Sequence, residues 1–253
     1  MIKRVGRGPA RASQLQLYNQ HLRRQYRDRQ QYWHHRSVSR LQAASGEPIT
    51  EVSVILDSMD QAKHCYPRSE SMSSKEFQQF YRPKMMNTSV LIHGHGVLVG
   101  LSPANVPGNS SRTAELLAYT LTKSVELGIN WPTCFLHLEA DNCAKEVKNQ
   151  TVLRLLGALI GQHKLAGCQL SFLSSGHSHE DIDAMFAQVL VHLQSHKELW
   201  TVEAFQQCIQ DFFGDKMVRR HEPFREVLLF DQFRDWKLGC ILSRGRKIMI
   251  VIR

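Results

Sequence analysis

The chain has 253 residues, of which 42% are hydrophobic and 22% are charged, and its formal net charge is +9. This length and apolar content exclude wholesale disorder and predict a domain with a sizeable core. No apolar run approaches the roughly 18 residues that span a bilayer. The six cysteines are scattered and form no C-x-x-C pair, which argues against a disulfide framework or a cysteine zinc site.

The positive charge is concentrated at the N-terminus. Residues 1–40 hold ten lysines and arginines and a single acid, Asp28, so this segment carries +9 and the remainder of the chain is neutral. A basic arm of this kind is typical of a protein that binds a polyanion. We therefore expect nucleic acid, DNA in particular, as the partner, with a homo-oligomer as a further option and no membrane association. The absence of an apolar leader predicts a nuclear or cytoplasmic protein that is not secreted.

The arm predicts one long helix, because residues 12–44 contain no glycine or proline. Bulky apolar side chains recur at helical spacing on one face, namely Tyr18, Leu22, Tyr26 and Trp33. Arg23, Arg24 and Arg27 fall on other faces, where they could contact phosphates while the aromatic rings pack or stack. The equal alternative is a solvated helix that docks on the body through its aromatic stripe. A mitochondrial presequence is a third alternative, which the aromatic stripe disfavours.

The segments after residue 48 alternate between strand and helix. The sequence predicts a strand, a polar loop, two strands around a glycine-containing turn, and then helix, strand, helix, strand and helix. The corresponding segments are EVSVILDSMD, TSVLIHGHGVLVGLSP, PGNSSRTAELLAYTLTKSVELG, TCFLHLEADN, KNQTVLRLLGALIGQHKLAG, CQLSFLSSG and SHEDIDAMFAQVLVHLQSH. Ser110 or Ser111 is the expected cap of the first of these helices, and Gly167 the expected end of the second. The alternation predicts an α/β sheet with parallel neighbours.

Three units are expected along the chain. Residues 1–47 form the basic helical arm, residues 48–198 the sheet domain, and residues 199–253 a C-terminal extension. The extension is predicted to contain a short helix from Val202 to Phe213 and a hairpin in ILSRGRKIMIVIR, where the SRGR turn separates two apolar runs.

Acidic residues come after three of the predicted strands. Asp57 and Asp60 follow the first strand, Asp141 follows the fourth, and Asp183 lies just past the fifth, in the first turn of the last helix. Because ligands of α/β sheets gather beyond the carboxyl ends of parallel strands, these acids should converge in space. Converging carboxylates are tolerated when a divalent cation neutralises them, and hard oxygen ligands suit Mg²⁺ or Mn²⁺. The pattern therefore predicts a metal site formed by Asp57, Asp141 and Asp183.

The last helix adds a further candidate ligand. Its apolar stripe must face the sheet and comprises Ile182, Met185, Phe186, Val189, Leu190 and Leu193. Asp183 lies at the margin of this stripe, and His179, four residues earlier on the same margin, is a candidate fourth metal ligand. Asp181 falls on the opposite margin, in capping-box register with Ser178. The alternative is that these acids only complement the helix dipole.

Other polar residues lie near the predicted acids. Lys63 and Lys148 could contact a phosphate, and the alternative for each is an ordinary ion pair or a polar helix start. His93 and His95 flank the glycine of the IHGHG turn. A metal role for these two histidines is possible in principle, but structural histidines with satisfied hydrogen bonds are the favoured interpretation.

Three local motifs carry a resemblance that covers about residues 20–195. LDSMDQAK, DNCAKEVKN and GHSHEDIDAMF, preceded by HLRRQYRDRQQYW, resemble a transposon-associated family known as domain of unknown function 7869. The element order and the placement of the acids also resemble the ribonuclease-H-like fold of DDE/DDD transposases and integrases. The resemblance implies a mixed sheet flanked by helices and catalytic acids at Asp57, Asp141 and Asp183. These acids would hold two Mg²⁺ ions, roughly 4 Å apart, for phosphodiester transfer.

Three functions follow as hypotheses. The leading one is a metal-dependent polynucleotidyl transferase or nuclease. The second is a decayed, non-catalytic nucleic-acid-binding protein derived from a transposon. The third is a small-molecule hydrolase in which His177 and His179 bind zinc, a softer metal than magnesium.

Overall fold

A computed structural model of the protein describes residues 9–59, 69–72, 74–77, 79, 84–103, 105–106, 108–141, 147–172, 180–216 and 222–236. The helices are α1 (Pro9–Ser45), α2 (Ser74–Phe77), α3 (Ser110–Glu126), α4 (Gln150–Gly161), α5 (Glu180–Ser195) and α6 (Val202–Asp211). The strands are β1 (Glu51–Met59), β2 (Met85–Ile92), β3 (Gly96–Pro103), β4 (Phe135–Ala140), β5 (Gly167–Phe172) and β6 (Phe224–Leu229). No helix in these ranges is long and apolar enough to cross a bilayer.

The six strands form one mixed sheet in the order β5-β4-β1-β2-β3-β6. Strand β2 pairs antiparallel with β1 and with β3, whereas β1–β4, β4–β5 and β3–β6 are parallel pairs. Helices flank the sheet, so the predicted α/β class and mixed sheet are confirmed, and the arrangement is consistent with a ribonuclease-H-like fold.

The sheet separates two apolar cores. Alternate residues of a strand point to opposite faces, and β1 shows this directly. Val54 and Leu56 pack in the core that contains the buried residues of α3 and α4. Ile55 and Met59 pack in the other core, together with residues of α5 and α6. The predicted apolar stripe of α5 faces this second core, where Ile182 and Val189 are almost completely buried.

Helix α1 lies on the same face of the sheet as α5. Its buried residues are Gln25, Tyr32 and Ser39, spaced seven apart, as one face of a helix would be. Every side chain from Ala12 to Arg24 is exposed. The aromatic stripe is therefore not the docking face, since Tyr18 and Tyr26 are exposed, although Trp33 packs against the second core. The docking face therefore combines the polar residues Gln25 and Ser39 with the aromatic residues Tyr32 and Trp33.

Three predicted boundaries were wrong. The side chain of Asn109 caps α3 by accepting from the N–H groups of Ser111 and Arg112, because extended backbone at Asn109 turns its side chain to the helix start. Helix α4 ends at Gly161, and Gly167 instead begins β5, where an added Cβ would lie 2.6 Å from the Phe135 ring. Strand β1 continues to Met59, so Asp57 lies within the strand.

The C-terminal part of the described chain packs into the same sheet and core. Strand β6 extends the sheet beside β3, and α6 buries Phe205 and Ile209 in the second core. A π-helical turn, Phe212–Lys216, follows α6 directly. The unit limits at residues 47 and 198 stay predictions, and the predicted hairpin lies outside the described residues.

Gly94, in the turn between β2 and β3, should be sensitive to substitution. Gly94 has φ +85°, and an added Cβ would lie 2.8 Å from the Ala43 Cβ and 3.0 Å from the Arg40 Cα of α1. We expect Gly94→Ala to lower the free energy of unfolding by about 1–3 kcal/mol more than Gly128→Ala, as is usual for overpacking. Gly128 is the matched control because its φ is +90° but nothing lies within 4 Å of its added Cβ. Equal losses of unfolding free energy in the two variants, measured by urea denaturation, would contradict the close approach of α1 to Gly94.

Candidate functional site

Two of the predicted acids lie side by side on neighbouring strands. In the parallel pair β1–β4, Val54 is opposite Leu138 and Leu56 is opposite Ala140. The next positions are Asp57 and Asp141, which therefore share a level at the carboxyl end of β4. By strand alternation both belong to the face covered by α1 and α5. Asp57 is half-buried and its Oδ1 accepts from the Ser58 N–H at 2.8 Å, whereas Asp141 is exposed.

The third predicted acid belongs to the same face. Asp183 is half-buried in the first turn of α5. It directly follows Ile182, which is buried in the core beneath α5 together with Ile55 of β1. The tertiary fold thus brings Asp57, Asp141 and Asp183 to one side of the sheet.

The carboxylates are not gathered as tightly as ligands around an ion. Within the described ranges, two groups of three metal-ligand side chains have their ligand atoms within 4.8 Å of one another. These groups are His35, Glu51 and His137, and His192, His196 and Cys208. Asp57, Asp141 and Asp183 belong to neither group, so a shared ion requires side-chain rotation, and the shared ion stays a prediction.

Buried polar side chains lie beside Asp57. Ser89 is directly opposite Asp57 across the β1–β2 pair, and its hydroxyl donates to Asn87 Oδ1 at 3.0 Å. Both residues are almost fully buried. On the other face, the hydroxyl groups of Ser58 and Thr88 are 2.9 Å apart. The surroundings of Asp57 within the sheet are therefore polar. The alternating pattern of the strands did not predict this feature.

Asp181 has a different role from the three acids. Its Oδ2 accepts from the Tyr32 hydroxyl at 2.8 Å and from Arg36 Nη1 at 2.8 Å. Burial raises the pKa of Asp181, but the hydrogen bonds from Arg36 and Tyr32 outweigh burial and hold that pKa below its usual value. The Asp181 carboxylate, in the first turn of α5, therefore fastens α1 to α5.

His93 continues this chain of hydrogen bonds. Its Nε2 lies 3.0 Å from the Tyr32 oxygen. Because Tyr32 donates its own proton to Asp181, the imidazole must donate to Tyr32. Burial, reinforced by Arg40, lowers the pKa of His93 to about 3, so the ring is neutral. The Ser39 hydroxyl donates to the His93 carbonyl at 2.7 Å. These contacts agree with a structural role of His93, but the prediction of satisfied hydrogen bonds was wrong in part, because His93 Nδ1 and His95 Nε2 are buried without a hydrogen-bond partner among the described residues.

Arg40 adds a second link between α1 and the body. Its Nε and Nη2 donate to Oε1 of Glu222 at 3.0 and 2.8 Å. The Glu222 side chain is 3% exposed, so this charge depends on Arg40 for compensation. His95, in the same turn, is buried, and burial lowers its pKa.

Glu139 is an acid that the sequence interpretation missed. It lies on β4 between His137 and Asp141, on the face that α1 covers. Burial, with the nearby carboxylate of Asp28, raises the pKa of Glu139 to about 7. The alternation of His137, Glu139 and Asp141 along one strand face was the available signal.

The predicted nucleic-acid contacts are only partly described. Arg23, Arg24 and Arg27 are exposed on the first half of α1. Lys148 is exposed, and its Nζ lies 5.4 Å from the centroid of the Phe172 ring. Lys63, His177 and His179 lie outside the described residues, as do Asp60 and Ser178.

The hydrogen-bond chain generates a prediction about Tyr32. We expect Tyr32→Phe to lower the free energy of unfolding by about 1–3 kcal/mol, because it leaves His93 Nε2 and one bond to Asp181 without the hydroxyl partner. Tyr18→Phe, at an exposed position of the same helix, should change it by less than about 0.5 kcal/mol. Chemical denaturation monitored by circular dichroism measures both, and similar small effects would contradict the network.

Comparison with known proteins places the sequence in a family. Searches of curated proteins and of solved structures found no significant match. The family described as "Domain of unknown function (DUF7869)" matches residues 75–236, which is more than half of the chain. The match begins before β2 and ends after β6, so it includes Asp141 and Asp183 and excludes α1 and Asp57. The chain therefore belongs to the DUF7869 family.

Proposed function

We propose that this protein is a metal-dependent polynucleotidyl transferase or nuclease of the transposase and integrase kind. In this proposal Asp57, Asp141 and Asp183 hold Mg²⁺ or Mn²⁺ and the substrate is DNA. The observation that carries the proposal is the parallel register of β1 and β4. This register makes Asp57 and Asp141 neighbours on the sheet face that α5, with Asp183, also covers.

The donor chemistry fits a hard divalent cation. Neighbouring strands are about 4.8 Å apart, so two carboxylates at one level repel each other unless a cation lies between them. Three carboxylates are the oxygen donors that Mg²⁺ and Mn²⁺ prefer. Asp57 is restrained by its strand and by the Ser58 N–H, whereas Asp141 is exposed and can turn toward an ion.

The roles of the protein groups follow from these positions. A bound divalent ion would activate a water or a 3′-hydroxyl group and stabilise the leaving oxygen. The strands hold the acids in place, and the exposed Arg23, Arg24 and Arg27 would neutralise backbone phosphates of the same DNA. Asp181 is committed to Arg36 and Tyr32, which leaves Asp183 as the aspartate of α5 for the metal.

Metal binding tests the acid site directly. We expect Asp57→Asn with Asp141→Asn to abolish Mn²⁺ binding in isothermal titration calorimetry and to abolish metal-dependent cleavage or strand joining of DNA. Asp231→Asn is the matched control, because Asp231 is an exposed acid elsewhere on the surface. Unchanged Mn²⁺ binding in the double variant would reject the acid site.

A second candidate function is supported by the exposed half of α1. All side chains from Ala12 to Arg24 are exposed, and Arg27 extends the basic surface by one more turn. A helix that presents arginines away from the body is suited to bind phosphates without any chemistry at the acids. A non-catalytic, transposon-derived DNA-binding protein would retain this surface.

Salt dependence measures the contribution of this surface. We expect a triple change to glutamine at Arg23, Arg24 and Arg27 to weaken DNA binding and to reduce the slope of log K against log salt by up to about 2.7, or about 0.9 for each lost phosphate contact. The control is the same change at three exposed lysines of the body, Lys75, Lys84 and Lys164. Equal slopes for the arginine variant and the unchanged protein would remove the helix from the DNA interface. DNA binding without cleavage at any metal would favour the second candidate function.

A further inference from the structure

Three side chains of the kind that bind transition metals meet at the other end of β1 from Asp57. His35 comes from α1, Glu51 is the first residue of β1, and His137 lies on β4. Their ligand atoms all lie within 4.8 Å of one another. Glu51 Oε2 is 3.2 Å from His137 Nε2 and 3.9 Å from His35 Nδ1. One carboxylate oxygen therefore has an imidazole nitrogen from each of two elements beside it.

These separations suit a metal ion. Ligand atoms at about 2.0–2.1 Å from a tetrahedral zinc ion are about 3.4 Å apart. The two measured distances, 3.2 and 3.9 Å, lie on either side of that spacing. The imidazole rings of His35 and His137 are stacked, with centroids 3.6 Å apart and planes 16° apart. If the rings tilt out of this stack, His35 Nδ1 and His137 Nε2 can both point at one ion.

The His35 nitrogen at this point lacks a hydrogen-bond partner. His35 Nδ1, the atom near Glu51, is buried and has no such partner within the described ranges, although buried polar atoms are nearly always paired. The His137 nitrogen that faces Glu51 is Nε2, and the unpaired buried nitrogen of His137 is its other ring atom, Nδ1. Burial, together with His137, lowers the pKa of His35 to about 4, and burial lowers that of His137. A lowered pKa favours the neutral imidazole, which is the form that binds metal.

The surrounding contacts hold the three elements in place and leave a route for an ion. Gln42 of α1 accepts from the backbone N–H groups of Thr50 and Glu51 at 3.0 and 3.1 Å. The start of β1 is therefore attached to α1 beside His35. The Glu51 side chain is 42% exposed, against 19% for His35 and 13% for His137. An ion can reach the two buried imidazoles from the Glu51 side.

We propose that His35, Glu51 and His137 bind one first-row transition metal ion, Zn²⁺ in particular, and that this ion pins α1 to strands β1 and β4. Two imidazoles and one carboxylate form a borderline donor set, which suits zinc rather than magnesium. The site is separate from the acids of the proposed function. In the other three-residue group, His192 Nε2 and His196 Nδ1 already lie 3.1 and 3.0 Å from backbone carbonyl oxygens.

Co²⁺ can take the place of Zn²⁺ in such a site and, unlike Zn²⁺, absorbs visible light. Co²⁺ binding to the full chain therefore tests the site. We expect Co²⁺ to bind at this site, with visible d–d bands and without the near-ultraviolet band of a cobalt–thiolate bond. Glu51→Gln, His35→Gln and His137→Gln should each weaken Co²⁺ and Zn²⁺ binding at least about tenfold, since even outer-shell changes cost that much. Undiminished affinity in Glu51→Gln, or a thiolate band in the unchanged protein, would overturn the proposal.

Matched controls separate this site from other histidines and from the acids. His163→Gln, at an exposed position after α4, should leave Co²⁺ binding unchanged. Loss of Co²⁺ binding in this control would assign the ion elsewhere. Asp57→Asn should retain Co²⁺ binding at this site even if it abolishes DNA chemistry, so the two proposals can fail independently. If a histidine variant does not fold, the Glu51→Gln variant, whose altered side chain is half-exposed, decides whether the metal binds at this site.

Hydrogen exchange tests whether the bound ion holds α1 against the sheet. We expect saturating Zn²⁺ to slow amide hydrogen exchange in residues 25–45 of the unchanged protein at least about tenfold, and to have no such effect in Glu51→Gln. Equal exchange in α1 with and without Zn²⁺ would show that the ion does not hold the helix.

Discussion

The hydroxyl group of Tyr32 joins three elements that are distant in the sequence. It donates to Asp181 at the start of α5 and lies 3.0 Å from His93 in the β2–β3 turn. Arg36 completes the charge balance at Asp181, one turn further along α1. Because these groups are partly or fully buried, each depends on the others for the hydrogen bonds that water no longer supplies. The position of α1 on the sheet depends on this chain.

Polar docking of a long helix has a different character from apolar packing. Apolar faces tolerate small shifts, whereas a directional hydrogen bond and a paired charge fix a register. The close approach of Gly94 to Ala43 and Arg40 restricts the same register sterically. Helix α1 therefore meets the sheet in one position, with residues 12–24 left in solvent. The two halves of one continuous helix thus have different surroundings, and the exposed half carries arginines that the proposed DNA contact would use.

The face beneath α1 and α5 has two chemically different ends. Asp57 and Asp141 lie at one end of the β1–β4 pair, and Glu51 and His137 lie toward the other. The six strand positions from Glu51 to Asp57 correspond to about 20 Å at 3.3 Å per residue. Oxygen donors at the first end suit magnesium, and mixed nitrogen and oxygen donors at the second suit zinc. The proposed catalytic end and the proposed helix clamp can therefore operate on one sheet face without competing for the same ion.

The sequence by itself determined what depends on local periodicity: the order of strands and helices, the mixed α/β sheet, the apolar stripe of α5 and the basic arm. It also predicted that Asp57, Asp141 and Asp183 would lie on one side of the sheet, because acids near the carboxyl ends of parallel strands share one edge. Only the tertiary structure decided which acid of α5 is tied to Tyr32 and Arg36, which face of α1 docks, and that His35 meets Glu51 and His137. Those outcomes depend on side chains about 15 to 180 residues apart, and the apolar residues of α1 that the sequence singled out, Tyr18, Leu22 and Tyr26, are exposed instead of docked. Polar contacts between distant segments leave no periodic signal in a sequence, because hydrogen bonding depends on where side chains finally meet and not on how often a residue type recurs.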